Sequence, residues 1–285
     1  MIKTISYYFF DMISFFDKLI FVLFKKSFLI YFGDKLNSYL YTHRRINNVK
    51  INFYTPNSIT RWRSNTFDLE EPETIQWVKK FKKQKKEIIL WDIGSNIGLY
   101  SIYASIIHKN LKVICFEPST SNLRVLSRNI SINKLHNKIS IFQIPLSEKK
   151  NTFSLMSESK FTEGWAMHTF GQKNISAKEK EKVKNKYKIF GTNINYILDN
   201  KILGIPNYIK LDVDGLEYLI LLGGKKYLSN NKIKSIIVEI DKNFKNNLKK
   251  INKIMLDNKF NLKEKHHLPH DDKKFQNTFN YVYER

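Results

Sequence analysis

The chain has 285 residues, 42% of them hydrophobic, enough to bury a sizeable core and too many for general disorder. Its single cysteine, Cys115, excludes an intrachain disulfide framework or a Cys-rich zinc site and makes a reducing, cytoplasmic compartment the expectation. The net charge of +23 raises nucleic acid as a partner. Nearly all of it is carried by Lys, and Lys, Asn and Ile are enriched together, a compositional bias rather than a phosphate-reading surface built from Arg forks.

Residues 1–32 are very apolar, but Asp11, Asp17, Lys18 and Lys25 interrupt them, so no uncharged run is long enough to span a bilayer. Thr4, Asp11, Lys18 and Lys25 recur every seven residues, with Ser14 close by. On a helix they form one narrow polar stripe opposite a broad apolar surface. No small-residue cleavage site follows, so a signal peptide is not expected. Such a helix lies on a membrane surface, or packs on the protein's own core or on a second copy in a homodimer; the packed reading is slightly favoured. The organisation expected is a helical segment over 1–48 and a main domain over 49–285, its core starting at 86.

Residues 49–54 and 59–63 alternate around Pro56-Asn57 and predict a short hairpin. Glu71-Pro72-Glu73 opens a helix to about 83, with proline in the first turn and acidic groups at the favourable end. Strands are then expected at 88–91, 113–116, 138–144, 208–213 and 235–240, with two more at the C-terminus ending at 278–283. Helices are expected at 97–108, 122–133, 216–222 and 244–256. Residues 157–190 are weakly periodic, with a Lys/Glu run at 178–188, and read as an inserted loop with a solvated helix. Strands alternating with helices predict an α/β fold, a mostly parallel seven-stranded sheet covered on both faces.

Ligands of such sheets bind outside the carboxyl ends of the strands, where strand order reverses. Asp92-Ile-Gly94-Ser95-Asn96-Ile-Gly98 falls there, between the first strand and its helix. Its glycines allow a sharp turn and close approach of a ligand, and the helix N-terminus offers free N–H groups to a carboxylate. An acid beside the loop suits a cationic ligand. The spacing is not the G-x-G-x-x-G of a pyrophosphate site, which disfavours a nicotinamide oxidoreductase; a plain strand–helix turn is the other reading. Glu117, before Pro118, ends the second strand, where an acid can accept two ribose hydroxyls. Asp212 and Asp214 flank Val213, so both can project the same way at a strand end. One could act as a base toward a hydroxyl, or the two could hold a divalent cation; an Asp214 that caps the next helix stands beside these.

Together these pieces resemble the FkbM-type methyltransferases, within the Rossmann-like class I methyltransferase fold. The matching stretches are 91–101, Phe116-Glu117-Pro118, 129–135, Pro145-Leu146-Ser147, 209–217, Leu222-Gly223-Gly224 and Ile237-Val238-Glu239, in the expected order over roughly residues 50–241. The resemblance implies an O-methyltransferase that uses S-adenosyl-L-methionine on a hydroxyl of a small-molecule, glycan or natural-product acceptor. By it, Asp92, Gly94, Ser95, Asn96, Gly98, Glu117, Pro118 and Ser147 line the cofactor site. Asn195 and Asp214 depart from the family pattern, which has Asp and commonly Glu there.

For the acceptor side the candidates are Asp212, Asp214 and His168, the last as a general base in the Gly164–His168 loop. No metal site is assigned. His266, His267, His270, Asp271 and Asp272 look metal-like, but Pro269 favours a polar turn between the last strands. Trp62 and Arg63 could stack on a sugar, with core packing favoured. Two other functions stand beside the first: an RNA methyltransferase on the same fold, and a non-enzymatic membrane-associated scaffold.

Overall fold

The computed structural model describes residues 1–82, 86–171, 185–242, 245–267 and 277–285. The chain divides into two compact units, Met1–Tyr41 and Thr42–Arg285.

The first unit holds α1 (Ile2–Phe24) and α2 (Phe28–Asn37). The one helix expected over 1–32 is therefore two, and Asp17 is the reason. Its Oδ1 accepts hydrogen bonds from the N–H groups of Phe28 (2.8 Å) and Leu29 (3.1 Å), and its Oδ2 accepts from the Ser27 hydroxyl (2.7 Å). A carboxylate there satisfies free N–H groups of α2 and meets the positive end of its dipole. Lys25 turns the chain in the left-handed conformation (φ 55°). Among the described residues, no helix is long and apolar enough to cross a membrane.

A hairpin of β1 (Tyr41–Ile46) and β2 (Val49–Tyr54) comes next. Its two-residue turn is Asn47-Asn48, both at positive φ (47° and 65°), as a primed hairpin turn requires. The hairpin predicted over 49–63 is thus displaced, and Asn48, expected to end the N-terminal segment, sits in its turn. Asn57 does not turn a hairpin. Its side chain accepts from Thr60 N while Thr60 Oγ1 accepts from Asn57 N, a capping box that starts α3 (Ser58–Glu70). α4 (Pro72–Lys79) follows, with proline at its first position.

The βα alternation then runs β3 (Ile88–Ile93), α5 (Leu99–Ile107), β4 (Leu111–Phe116), α6 (Thr120–Ile132) and β5 (Ile139–Phe142). Next come β6 (Thr152–Glu158), β7 (His168–Phe170), β8 (Asn185–Gly191), α7 (Ile194–Asp199), β9 (Tyr208–Leu211), α8 (Glu217–Gly223) and α9 (Lys225–Leu228). The chain closes with β10 (Ser235–Asp241), α10 (Lys245–Asp257), β11 (Asn261–His267) and β12 (Thr278–Glu284). The main sheet has seven strands in the order β11-β12-β10-β9-β3-β4-β5. It is parallel from β10 to β5, and β12 and β11 return antiparallel. Strand order reverses at β3, which pairs β4 on one side and β9 on the other. Trp91, Phe116, Leu211, Ile236 and Val238 are almost wholly buried in these central strands, which explains their near-continuous apolar runs.

The segment expected as a loop with a solvated helix instead contributes to a second sheet, β7-β6-β8, antiparallel throughout. In β8 the outward Lys186 and Lys188 alternate with half-buried Tyr187 and Ile189, so a strand of period two was hidden inside a charge run. Residues 178–184 of that run lie outside the described residues. His266 and His267 belong to β11 rather than to a turn, and His266 Nε2 lies 3.0 Å from Glu264 Oε2. His270, Asp271 and Asp272 lie outside the described residues.

Candidate active site

A cavity of about 360 Å³ opens at the carboxyl ends of β9, β3 and β4. On the β4 side, β3 delivers Asp92, only 2% exposed. Its Oδ2 accepts from Ser101 Oγ (2.5 Å), and its Oδ1 has no partner. Burial raises its carboxyl pKa, with Lys210 opposing. Asn96, at φ 49°, donates its N–H to Glu117 Oε2 (2.8 Å), and Ser119 N donates to Glu117 Oε1 (2.9 Å). Burial pushes the Glu117 carboxyl up to about 8 despite these bonds. Ser95 Oγ and Asn96 Oδ1 are buried without partners, and Pro118 also lines the cavity.

Gly94 lines the cavity, but its glycine is required by its other neighbour. At φ +86°, an added Cβ would stand 1.8 Å from the Asp212 carbonyl oxygen. The loop is sewn to both neighbouring strands: Gly94 and Ser95 donate to Phe116 O, and Asp212 N donates to Ile93 O. Two expected cofactor residues stand outside the cavity lining. Gly98 does not line the cavity; it caps α5 at φ +83°, and a Cβ would collide with Leu126. Ser147 lies beyond the wall formed by Ile144, Pro145 and Leu146. It is held there by Ser147 N to Thr192 O (2.9 Å) and Lys149 N to Ser147 Oγ (3.1 Å).

The β9 side is built around Lys210, which the sequence reading passed over. It is 3% exposed, and its Nζ lies 2.7 Å from Asp212 Oδ2, 3.8 Å from Glu71 Oε2 and 4.9 Å from the Tyr100 ring centroid. Burial alone would lower its pKa, but Asp212, Glu71 and Asp92 together raise it, so the ammonium stays charged. Carboxylate oxygens of Glu71, Asp212 and Glu239 lie within 4.8 Å of one another, close enough to share a cation. Lys210 already supplies one to two of them. Burial, then Asp212 and Glu71, hold the Glu239 carboxyl well above its ordinary range.

Asp212 and Asp214 both line the cavity, but not by strand alternation. β9 ends at Leu211, and Asp214 is turned inward by its own positive φ (55°) and that of Gly215 (107°). Asp214 Oδ2 accepts from Met167 N (2.6 Å) rather than capping α8. Burial, then Asp212, push its carboxyl up to about 6. Glu217 fastens the same turn by accepting from Val213 N and Gly215 N. His168, the first residue of β7, lines the cavity, and neither ring nitrogen makes a well-formed hydrogen bond to protein. Burial lowers its pKa, with Glu158 opposing, which leaves a neutral imidazole at pH 7. Trp62 is 45% exposed on the cavity wall instead of packed in the core, beside Arg63, whose Nε donates to Gly164 O.

An acid–glycine loop after β3, an acid after β4 and a cavity at the strand reversal define a Rossmann-like class I methyltransferase domain. Residues 92–262 match the methyltransferase FkbM domain, more than half of the chain, and the protein belongs to that family. The methyltransferase sdnD of Sordaria araneosa is 36% identical over 64 residues, which cover 22% of this chain and 25% of that protein; the match thus spans only a quarter of its length. Among solved structures, an S-adenosylmethionine-dependent methyltransferase-type protein of Streptococcus mutans shares the fold, with TM-score 0.50, 8% identity, and coverage of 86% of this chain and 56% of that one. Precorrin-6y C5,15-methyltransferase of Geobacter metallireducens aligns at TM-score 0.43 and 13% identity, covering 76% of this chain and 89% of that one. The methyl donor of such a domain is S-adenosylmethionine, and the residues present fit it. Asp92 Oδ1, Ser95 Oγ and Asn96 Oδ1 are buried polar atoms that a ligand would satisfy.

Proposed function

We propose that the protein is an O-methyltransferase whose acceptor presents uncharged hydroxyls, as a sugar, glycan or polyol natural product does. One observation carries this reading. Although the chain has a net charge of +23, the β9 side of the cavity brings together, among the described residues, the carboxyl groups of Glu70, Glu71, Asp212, Asp214 and Glu239 against Lys210 and Arg63. Carboxylates accept hydrogen bonds from neutral hydroxyls and repel phosphate.

Glu117 would take the ribose hydroxyls of the cofactor and Asp92 its cationic end, with Ser95 and Asn96 filling out the polar wall. When bound, S-adenosylmethionine supplies a methyl group on a sulfonium, open to attack by an oxygen. The chain's own part is positioning and proton removal. His168 has a free lone pair and takes the hydroxyl proton at a ring nitrogen. Asp214 holds the His168 loop through Met167 N. Asp212, paired with Lys210, accepts from a neighbouring acceptor hydroxyl.

The overall positive charge favours a second reading, methylation of RNA. Both are tested by following transfer from labelled S-adenosylmethionine to neutral glycosides, their phosphorylated counterparts and bulk RNA. Transfer to neutral hydroxyls with phosphorylated forms refused supports the proposal. Transfer to RNA alone, falling steeply with salt, overturns it in favour of the second reading.

A further inference from the structure

The first helical unit carries a surface that the methyl-transfer reading does not use. At ~100° per residue, Val22, Phe15, Leu19, Ile5, Phe9 and Phe24 of α1 fall on one continuous arc wider than half the helix circumference. All are about half or more exposed, from Leu19 at 48% to Phe24 at 67%. Lys3, Asp11, Ser14 and Lys18 occupy the opposite arc. The remaining acid of α1, Asp17, is turned inward to cap α2, which removes a carboxylate from the outer surface.

A seam against one protein partner uses an apolar stripe of roughly 100°. An arc of about twice that width suits an apolar medium that wraps the helix. No described helix is long and apolar enough to cross a bilayer. An apolar helix whose polar arc carries Lys3 and Lys18 against Asp11, on a chain of net charge +23, is complementary to an anionic lipid surface. We propose that α1 lies in the headgroup region of an anionic membrane, with its aromatic and aliphatic arc in the acyl boundary and Lys3 and Lys18 directed to the headgroups.

The test is flotation of the full chain with vesicles of phosphatidylcholine alone or mixed with phosphatidylglycerol. The protein is expected to float with the anionic vesicles, and at least about tenfold more weakly with neutral ones or at high salt. The double variant Phe9→Asp/Leu19→Asp is expected to lower partitioning about a hundredfold, roughly tenfold per buried side chain lost. Its affinity for S-adenosylmethionine, measured by calorimetry, is expected to match the wild type and reports that it is folded. Failure of the wild type to float with anionic vesicles overturns the proposal, as does a double variant that floats equally well. A wild-type dimer in sedimentation that the double variant dissociates, without vesicle binding, assigns the arc to a second copy of the chain.

Discussion

Glu117 offers the sharpest quantitative test of the donor side. Burial lifts its carboxyl from the ordinary 4.5 to about 8, against the pull of two backbone N–H groups. Only the ionised form can accept from both ribose hydroxyls, so cofactor binding must expel a proton below that value. One unit below the pKa, about a tenth of the protein is competent, and two units below, about a hundredth. The Kd for S-adenosylmethionine is therefore expected to fall roughly tenfold per pH unit from 6 to 7 and to level off above 8. Calorimetry in buffers of different ionisation enthalpy should show about one proton released per site at pH 6–7. The decisive comparison is Glu117→Gln, which should remove that slope while weakening binding. A wild-type Kd that is flat from pH 6 to 8, or a slope unchanged by Glu117→Gln, refutes the reasoning. The sign for stability is fixed too. Because the folded pKa lies above the unfolded one, the Glu117 contribution is complete below pH 4.5 and lost as pH rises through about 8. The melting temperature of the ligand-free protein should decline across that window.

Gly94→Ala should destabilise by about 3 kcal/mol or more in a urea titration, because its Cβ would meet the Asp212 carbonyl and its φ is positive. Lys210→Met leaves the half-buried Asp212 and Glu71 without their counter-ion and should cost about 1–3 kcal/mol; adding Glu71→Gln should recover part of it in the same assay. His168→Ala should lower kcat about 100-fold or more with the cofactor Kd unchanged. Asp214→Asn keeps an acceptor for Met167 N and should retain far more activity than His168→Ala.

The central strands were legible because burial on both faces leaves apolar runs such as Ile88–Trp91 that little else produces. That the loop after β3 and Glu117 face the cavity was legible because their placement depends on local position at a strand end. Lys210 could have been found: it stands two residues before Asp212, near the end of β9, where the site was expected. Glu71 and Glu239 could not, since only the adjacency of β10 to β9 and the placing of the α3–α4 junction bring them to one point. α3 was misread because Pro56-Asn57 suits both a turn and a helix start, and the reciprocal bonds between Asn57 and Thr60 decide between them. Ser147 was carried over from motif order alone, and the bridge between Leu146 and Thr192 draws it out of the cavity.

The small β7-β6-β8 sheet places His168 on an addition to the core, while the donor groups sit on the core strands themselves. Under the proposed roles, acceptor preference can therefore drift by change in this addition without touching the ends of β3 and β4. The separation is bridged at two side-chain amides: Asn96 and Asn122 both donate to Trp165 O, and Gly164 N donates back to Asn122 Oδ1. Asn96 belongs to the donor loop and Trp165 to the segment leading into His168. A relative that rebuilds its acceptor side must either keep a carbonyl for these amides or change them in step, so Asn96 and Asn122 mark where the two halves of the site are obliged to evolve together.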